Sequence, residues 1–292
     1  MKILLVVKKT NLERHGEDLF DVHRRSDKML KQIEKVQLAH DQHHEALLAL
    51  RKALNASSIN FDEVTRDKMV YANLSEYQLV LTLGGDGTLL STSHFINLEN
   101  LPVIGVRSAE SSVGFLCAAH YNQLEKLVSS IKNKTFVAKP ILRIKAEIFS
   151  ALDASHIETA PVLNEFLFSH SNPAATTRYQ LMIDEETEEQ KSSGLWISAP
   201  AGSSAAILAA GGTQQDLDSK QAQYLVREPY ILPQALHLTK GFLNLANQDF
   251  HLRNLCDQAI LAVDGQHGTH PLRFGDTVSF KNAKSLSLVR SL

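Results

Sequence analysis

Cysteine is scarce in this chain. Cys117 and Cys256 are the two thiols in 292 residues, too few for a disulfide framework and without metal-ligand spacing. That scarcity suits a reducing compartment, and both thiols are expected to be buried and structural. No dense block of Lys or Arg occurs and the formal net charge is −2, so nothing marks a general nucleic-acid binder. No apolar run approaches a membrane span. The opening MKILLVVKK is too short for the core of a signal peptide and reads as the first strand of a fold. There is no internal repeat and no low-complexity tract. The expectation is a cytoplasmic enzyme or binding protein with no nucleic-acid or membrane partner.

The first half has the rhythm of parallel βαβ units. Residues 3–7 are a continuous apolar run, as in a strand covered on both faces. Residues 26–54 carry apolar positions at helical spacing without proline or glycine, with a possible break near residues 40–44. His40, His43 and His44 have zinc-like spacing there, but their Asp, Gln and Glu neighbours suggest a solvated face. Residues 79–83 and 101–106 read as further buried strands, which predicts an open, doubly wound α/β sheet. Near Lys139–Pro140 the texture changes. Short runs with β-type alternation follow at 143–149, 162–168, 179–183, 195–198, 259–263 and 277–280, predicting a β-rich second domain. The acidic run 184–191 reads as a solvated hairpin tip.

The most informative stretch is QLVLTLGGDGTLL, residues 78–90. A strand runs into Gly84 and Gly85, then Asp86, Gly87 and Thr88, with a helix expected from about Thr88. Glycines allow positive φ and let a ligand approach backbone N–H groups. A helix N-terminus aimed at the same spot favours phosphate oxygens. Asp86 is the odd member: a carboxylate there would hold a metal or take a proton from an attacking hydroxyl. A plain turn also uses Gly and Asp, but two adjacent glycines followed by Asp-Gly-Thr exceed what one requires. In open sheets, ligands bind beyond the carboxyl ends of the strands, where residues 84–88 fall.

Three clusters in the second half add to this. Asn164 and Glu165 place an amide and an acceptor side by side at a strand start, a pair able to read a ribose diol or an amide. In 192–212, a small-residue turn at 200–204 leads into a helix expected over 205–210, leaving room for something flat. Asp264-Gly265-Gln266 follows a strand as a plausible turn.

With all four clusters in this order, the sequence resembles the NAD kinases over roughly residues 78–285. Members of that family carry Gly-Gly-Asp-Gly-Thr after a strand and a downstream Asn-Glu pair. A Ser-x-Pro-x-Gly-Ser segment then enters an Ala-rich helix and Gly-Gly, and Asp-Gly-Gln comes last. The glycine motif alone also resembles lipid kinases and phosphofructokinases; the ordered set is the specific signal. The resemblance implies a two-domain fold. An α/β domain with an open parallel sheet covers 1–139, and a β-rich dinucleotide-binding domain covers 140–292, with the last residues able to return to the first.

The resemblance also implies transfer of the ATP γ-phosphoryl group, with Mg2+ or another divalent cation, to the ribose 2′-hydroxyl of NAD or NADH. Asp86 would then be the catalytic acid-base group, while Gly84, Gly85, Gly87 and Thr88 cradle donor phosphates. Asn164 and Glu165 would grip the dinucleotide, and Gly202, Ser203, Ser204, Ala205, Ala206 and Ala209 would line the adenine pocket. Lys191 or Arg178 would offset pyrophosphate charge. The metal ligands stay unassigned, and a homodimer or homotetramer is implied. Several positions depart from the common bacterial pattern. Ala206 stands where an aromatic is usual, Ser193 stands where Asp is common, and Arg107 replaces Asn in a longer stretch 105–120. These features are similar to the plant-type NADH kinase branch and imply that NADH is accepted at least as well as NAD. The alternatives are a lipid or sphingoid kinase sharing the glycine motif, and a non-catalytic nucleotide sensor.

Overall fold

An apolar run without alternation needs cover on both faces, and β1 (Lys2–Val7) has it: Ile3, Leu4, Leu5 and Val6 are fully buried. The computed structural model describes residues 1–16, 27–230, 236–265 and 267–292, so the expectation for Gln266 lies outside the described residues. The chain divides into two compact units, Met1–Lys139 with Leu286–Leu292, and Pro140–Ser285.

In the first unit, β1 is followed by α1 (Asn11–His15), α2 (Asp27–Ala56), β2 (Asn60–Thr65) and β3 (Leu79–Gly84). Then come α3 (Asp86–Ser93), β4 (Val103–Arg107), β5 (Ala119–His120) and α4 (Leu124–Asn133). All the strand pairs are parallel, in the order β2–β1–β3–β4, with β5 on β4 and Leu288–Val289 beside Val103 and Ile104. The chain goes from β1 to β2 on one side and then to β3 and β4 on the other. The topological switch point therefore lies between β1 and β3. Leu47, Leu50 and Leu54 of α2 and Leu127 and Ile131 of α4 pack with Leu5, Leu81, Leu83 and Val106. The expected break near residues 40–44 is absent. With no Pro or Gly to interrupt it, α2 runs through, and of its three histidines only His43 leaves the solvated face: it is 1% exposed, whereas His40 and His44 are half-buried, with 41% of the His44 side chain exposed.

The second unit is β-rich, as expected. Its strands are β6 (Val137–Phe149), β7 (His156–Glu158), β8 (Glu165–His170), β9 (Thr177–Ile183), β10 (Glu186–Ser192) and β11 (Gly194–Ser198). They continue with β12 (Ala222–Arg227), β13 (Lys240–Leu243), β14 (Phe250–Asn254), β15 (Ala259–Val263), β16 (Gly268–Leu272) and β17 (Thr277–Ser291). The chain crosses between the units within β6 and again within β17. One sheet is antiparallel in the order β13–β12–β11–β8–β15–β16, and β10–β9–β14–β17 form a second antiparallel set. Their apolar faces meet in a core containing Phe166, Phe168, Tyr179, Tyr224, Phe250 and Phe280. Phe168 and Tyr179 sit edge to face with centroids 5.3 Å apart, a favoured aromatic geometry. The acidic run is not wholly a solvated tip. It enters β10, where alternation buries Gln190 and Ser192. Gln190 then bonds Tyr179 Oη at 2.8 Å and the Leu238 carbonyl at 2.8 Å.

Candidate functional site

The glycine turn is built by close approach, not by special dihedrals. None of Gly84, Gly85 and Gly87 has positive φ. A Cβ on Gly84 would overlap the Thr88 side chain, and one on Gly85 would overlap Ser112 Oγ. Gly85 is the N-cap of α3, so the helix starts at Asp86, two residues earlier than expected. Three hydroxyls of this buried helix bond back to its own carbonyls: Ser91 to Gly87 at 2.7 Å, Thr92 to Thr88 at 2.8 Å and Ser93 to Leu90 at 2.7 Å. Such back-bonding satisfies buried polar groups in a helix too short to hide them otherwise.

Asp86 occupies the first turn and accepts hydrogen bonds from Phe115 N and Leu116 N, each at 2.8 Å. The loop that supplies them is itself fixed. Ser108 N donates to the Gly84 carbonyl at 2.8 Å, and Arg107 donates to the Ala109 carbonyl at 3.1 Å and the Glu110 carbonyl at 2.5 Å. The sequence reading noted Arg107 only as a departure; the structure gives it the task of shaping the loop that holds Asp86. Lys8 was missed altogether. It leaves the carboxyl end of β1 and its N–H donates to the Leu83 carbonyl at 3.3 Å, across the switch point from the glycine turn. Burial, then Arg14, lowers its pKa. The available signal was the Lys-Lys pair directly after the first strand. Cys117, expected to be buried, is only partly so, and burial followed by the Asp86 charge pushes its thiol up to about 12.

In the second unit, Asp264 organises the Asn164–Glu165 pair. Its carboxylate accepts from Leu163 N at 3.1 Å, Asn164 N at 2.9 Å and Glu165 N at 3.0 Å. Asp264 N returns a bond to the Glu165 carbonyl at 3.0 Å. The Asn164 carbonyl accepts from Ala199 N at 2.8 Å and Ser198 Oγ at 3.2 Å. Gly202 packs so closely on Asn164 that a Cβ would overlap its carbonyl. These residues are brought together.

Glu165 is 5% exposed, and its Oε2 has no hydrogen-bond partner among the described residues. Burial, then the nearby Asp264 charge, pushes its carboxyl up to about 7. Opposite-charge stabilisation is missing, so the neutral form is favoured. Register places Glu165 across from Ser198 and Leu167 across from Trp196. Period-two alternation therefore puts Glu165 and Trp196 on one face of the sheet, away from the Phe166–Phe168 core. Trp196 Nε1 is also buried and unpaired among the described residues. Trp196 was not anticipated, although the alternation in GLWIS already set it opposite Leu195 and Ile197.

The remaining candidates are scattered or structural. The helix expected over 205–210 is a 3-10 turn, Pro200–Ser204, followed by α5 (Ala206–Ala209). It stops because Gly211 has φ +98° and the Gly212 N–H closes on the Ile207 carbonyl at 2.9 Å. Four residues align too few peptide dipoles to make an anion-binding end. Ser203 Oγ donates to the Pro200 carbonyl at 2.7 Å and accepts from Gln215 N at 2.8 Å. Ser204 Oγ donates to the Ala201 carbonyl at 3.4 Å, and Ala205 N to the Gly202 carbonyl at 2.8 Å. Ala206 is half-buried and Ala209 exposed. Lys191 and Arg178 are directly opposite across β10 and β9. Ser193 is half-buried, and its N–H donates to the Arg227 carbonyl at 2.9 Å. The turn with Asp86 belongs to the first unit and the Glu165 cluster to the second.

Known proteins resemble this chain in sequence and fold. Residues 3–136 match the family model described as the ATP-NAD kinase N-terminal domain. A probable NADH kinase of Oryza sativa subsp. japonica is 31% identical over 265 residues, covering 82% of this chain and 78% of that protein. Two solved structures share the fold. An NAD kinase from Archaeoglobus fulgidus in complex with ATP aligns with a TM-score of 0.66 at 15% identity, over 99% of this chain and 93% of that one. Yeast NADH kinase complexed with NADH aligns at 0.69 and 17%, over 100% and 84%.

Proposed function

The chain belongs to the NAD kinase family, and on that premise we propose how its residues divide the work of phosphorylating NAD or NADH with ATP. The lipid-kinase alternative falls with the family assignment. The observation that carries the reading is Asp86, the acid at the first position of a helix that opens at the switch point of a parallel sheet.

Gly84, Gly85, Gly87 and Thr88 form the donor side. The free N–H groups at the start of α3 and the Lys8 ammonium face the negative charge of the triphosphate. Asp86 takes or orients the proton of the attacking ribose 2′-hydroxyl. Phosphoryl transfer asks mainly for positioning and charge neutralisation, and the Phe115 and Leu116 N–H groups supply the positioning of the acid. The turn offers one carboxylate, whose oxygens keep further acceptor capacity, and this suits a magnesium ion that retains water and is held mainly by substrate phosphates. Such an ion would neutralise the donor charge.

Glu165 and Asn164 hold the acceptor. A hydroxyl pair donating to the unpaired Glu165 Oε2 would satisfy a buried acceptor that the fold leaves open. Lys191 and Arg178, side by side on β10 and β9, present positive charge for a pyrophosphate. Ser193, in place of a carboxylate, removes a charge that would favour the cationic nicotinamide, so NADH is accepted at least as well as NAD. The same reading places the protein in the cytoplasm as a homodimer or homotetramer; among the described residues no helix is long and apolar enough to cross a membrane. Initial rates with Mg-ATP and NAD, NADH or diacylglycerol test the reading. Turnover of both dinucleotides, with a product that serves an NADP-dependent dehydrogenase, is expected. Turnover of the lipid alone, or of none, would overturn it.

A further inference from the structure

We propose that Glu13, His40 and His44 form a binding site for a divalent transition-metal ion of the zinc class, distinct from Asp86 and the Glu165 cluster. His40 and His44 are one turn apart on α2, so their rings share a face of the helix, with centroids 4.3 Å apart. Glu13 reaches them from α1. Its Oε1 lies 3.1 Å from His44 Nε2, while Oε2 accepts from Thr10 N at 2.6 Å. One ligand atom from each of the three residues falls within 4.8 Å of the others. Tetrahedral zinc with ligand bonds of about 2.0–2.2 Å sets neighbouring ligand atoms roughly 3.4 Å apart. The Glu13–His44 pair already has nearly that spacing, and His40 lies within reach of both.

The surroundings support the ligands. Thr10 Oγ1 meets His40 Nδ1 at 2.7 Å, and Thr10 N fixes Glu13, so one residue orients two of the three groups. A pocket of about 380 Å³, lined by Lys8, Glu13, His43, His44 and Glu63 among others, gives an ion access to Glu13 and His44, and His40 lines a second pocket that shares Lys8 and Lys9. Two of the cations nearby are paired with carboxylates, while Lys8, which also lines the pocket, adds a positive charge. Arg51 bonds Glu63 at 2.7 and 2.6 Å, and Lys9 bonds Asp67 at 2.9 Å. His43 is not part of the set, because it is buried against Ser108 Oγ at 2.9 Å. Two imidazoles and one carboxylate select zinc, cobalt or nickel over magnesium or calcium, which want oxygen ligands. A bound ion would fasten α1 and the segment leaving β1 to α2, beside the glycine turn.

The test uses the full chain, freed of metal with a chelator, and does not depend on the kinase reading. Zinc titrated calorimetrically should bind one ion per chain and raise the melting temperature. Cobalt should give the visible absorption of a four-coordinate site. His40→Ala, His44→Ala and Glu13→Gln should each weaken zinc by more than the roughly 10–100-fold that an outer partner contributes, and Thr10→Ala by about that amount. His251→Ala, outside the set, should bind as the wild type does, and millimolar magnesium should not compete. All variants are checked by circular dichroism. Because the ligands are surface groups on formed helices, the three variants are expected to fold, and Glu13→Gln keeps even the side-chain shape. Absence of saturable zinc binding, binding that survives His40→Ala with His44→Ala, or displacement by magnesium would each overturn the site and leave Glu13–His44 a plain hydrogen-bonded pair.

Discussion

Asp86 and Glu165 are two carboxylates that the fold treats in opposite ways. Asp86 accepts two backbone N–H bonds from a loop that Arg107 and Ser108 hold in place. Glu165 is buried with one oxygen unpaired among the described residues, and its pKa is pushed up to about 7. Burial with no opposite charge beside it disfavours the charged form of the Glu165 carboxyl. The first unit therefore presents an acid whose orientation is complete before any ligand arrives. The second presents one whose hydrogen bonding is left incomplete among the described residues.

The largest expected effect breaks the first half of that contrast. Asp86→Asn should keep the fold and dinucleotide binding but lower kcat by about 10²–10⁴-fold, the scale of a lost general base. Near-normal turnover in steady-state assays would remove Asp86 from the chemistry.

Removing the support of the second carboxylate comes next. Asp264→Ala strands three backbone donors and should cost roughly 2–4 kcal/mol of stability in urea melts. An unchanged midpoint would show that water replaces Asp264 at no cost and that Glu165 is not held by it.

Glu165 itself gives a pH test with a definite sign. Its pKa is 4.5 in the unfolded reference and about 7 in the fold, so the folded state holds the proton more tightly between those values. Its favourable contribution is full below about pH 4.5, declines as pH rises through the window and is gone above about 7. Relative to Glu165→Gln, the ligand-free wild type should thus lose up to about 3 kcal/mol between pH 4.5 and 8. Parallel curves for the two proteins would mean that the carboxyl is better solvated than its burial indicates. In binding titrations, Glu165→Ala or Asn164→Ala should weaken the dinucleotide by roughly 1–3 kcal/mol and spare ATP. Equal loss for both ligands would move the pair to the donor side.

The smallest effect sharpens the acceptor side. Ser193→Asp should raise the NAD-to-NADH ratio of kcat/KM several-fold, since two unit charges about 5 Å apart at an effective dielectric of ~20 interact by roughly 3 kcal/mol before screening. A wild type that strongly prefers NAD, or an unmoved ratio in the variant, would sink the electrostatic account of redox preference.

Much of the fold was legible because its signals are local. Uninterrupted apolar runs marked β1 and β3, alternation marked β8, β9, β11 and β15, and the glycine cluster marked where β3 ends. The four motif clusters, read in order, pointed to the family that the relatives bear out. Local signals also misled. Small residues at 205–210 suggested a helix that lasts only one turn, and polar neighbours suggested a solvated face for His43, which is buried.

By itself, the sequence determined the fold class, the family and the residue types gathered at the glycine turn, because strand burial and turn chemistry are written in neighbouring residues. Only the tertiary structure decided what surrounds each charged group. Phe115 and Leu116 lie far along the chain from Asp86, Asp264 lies farther still from Glu165, and Glu13 meets His44 from another helix. Hydrogen bonding and desolvation depend on which groups come within a few ångströms in space, and spacing along the chain carries no record of that.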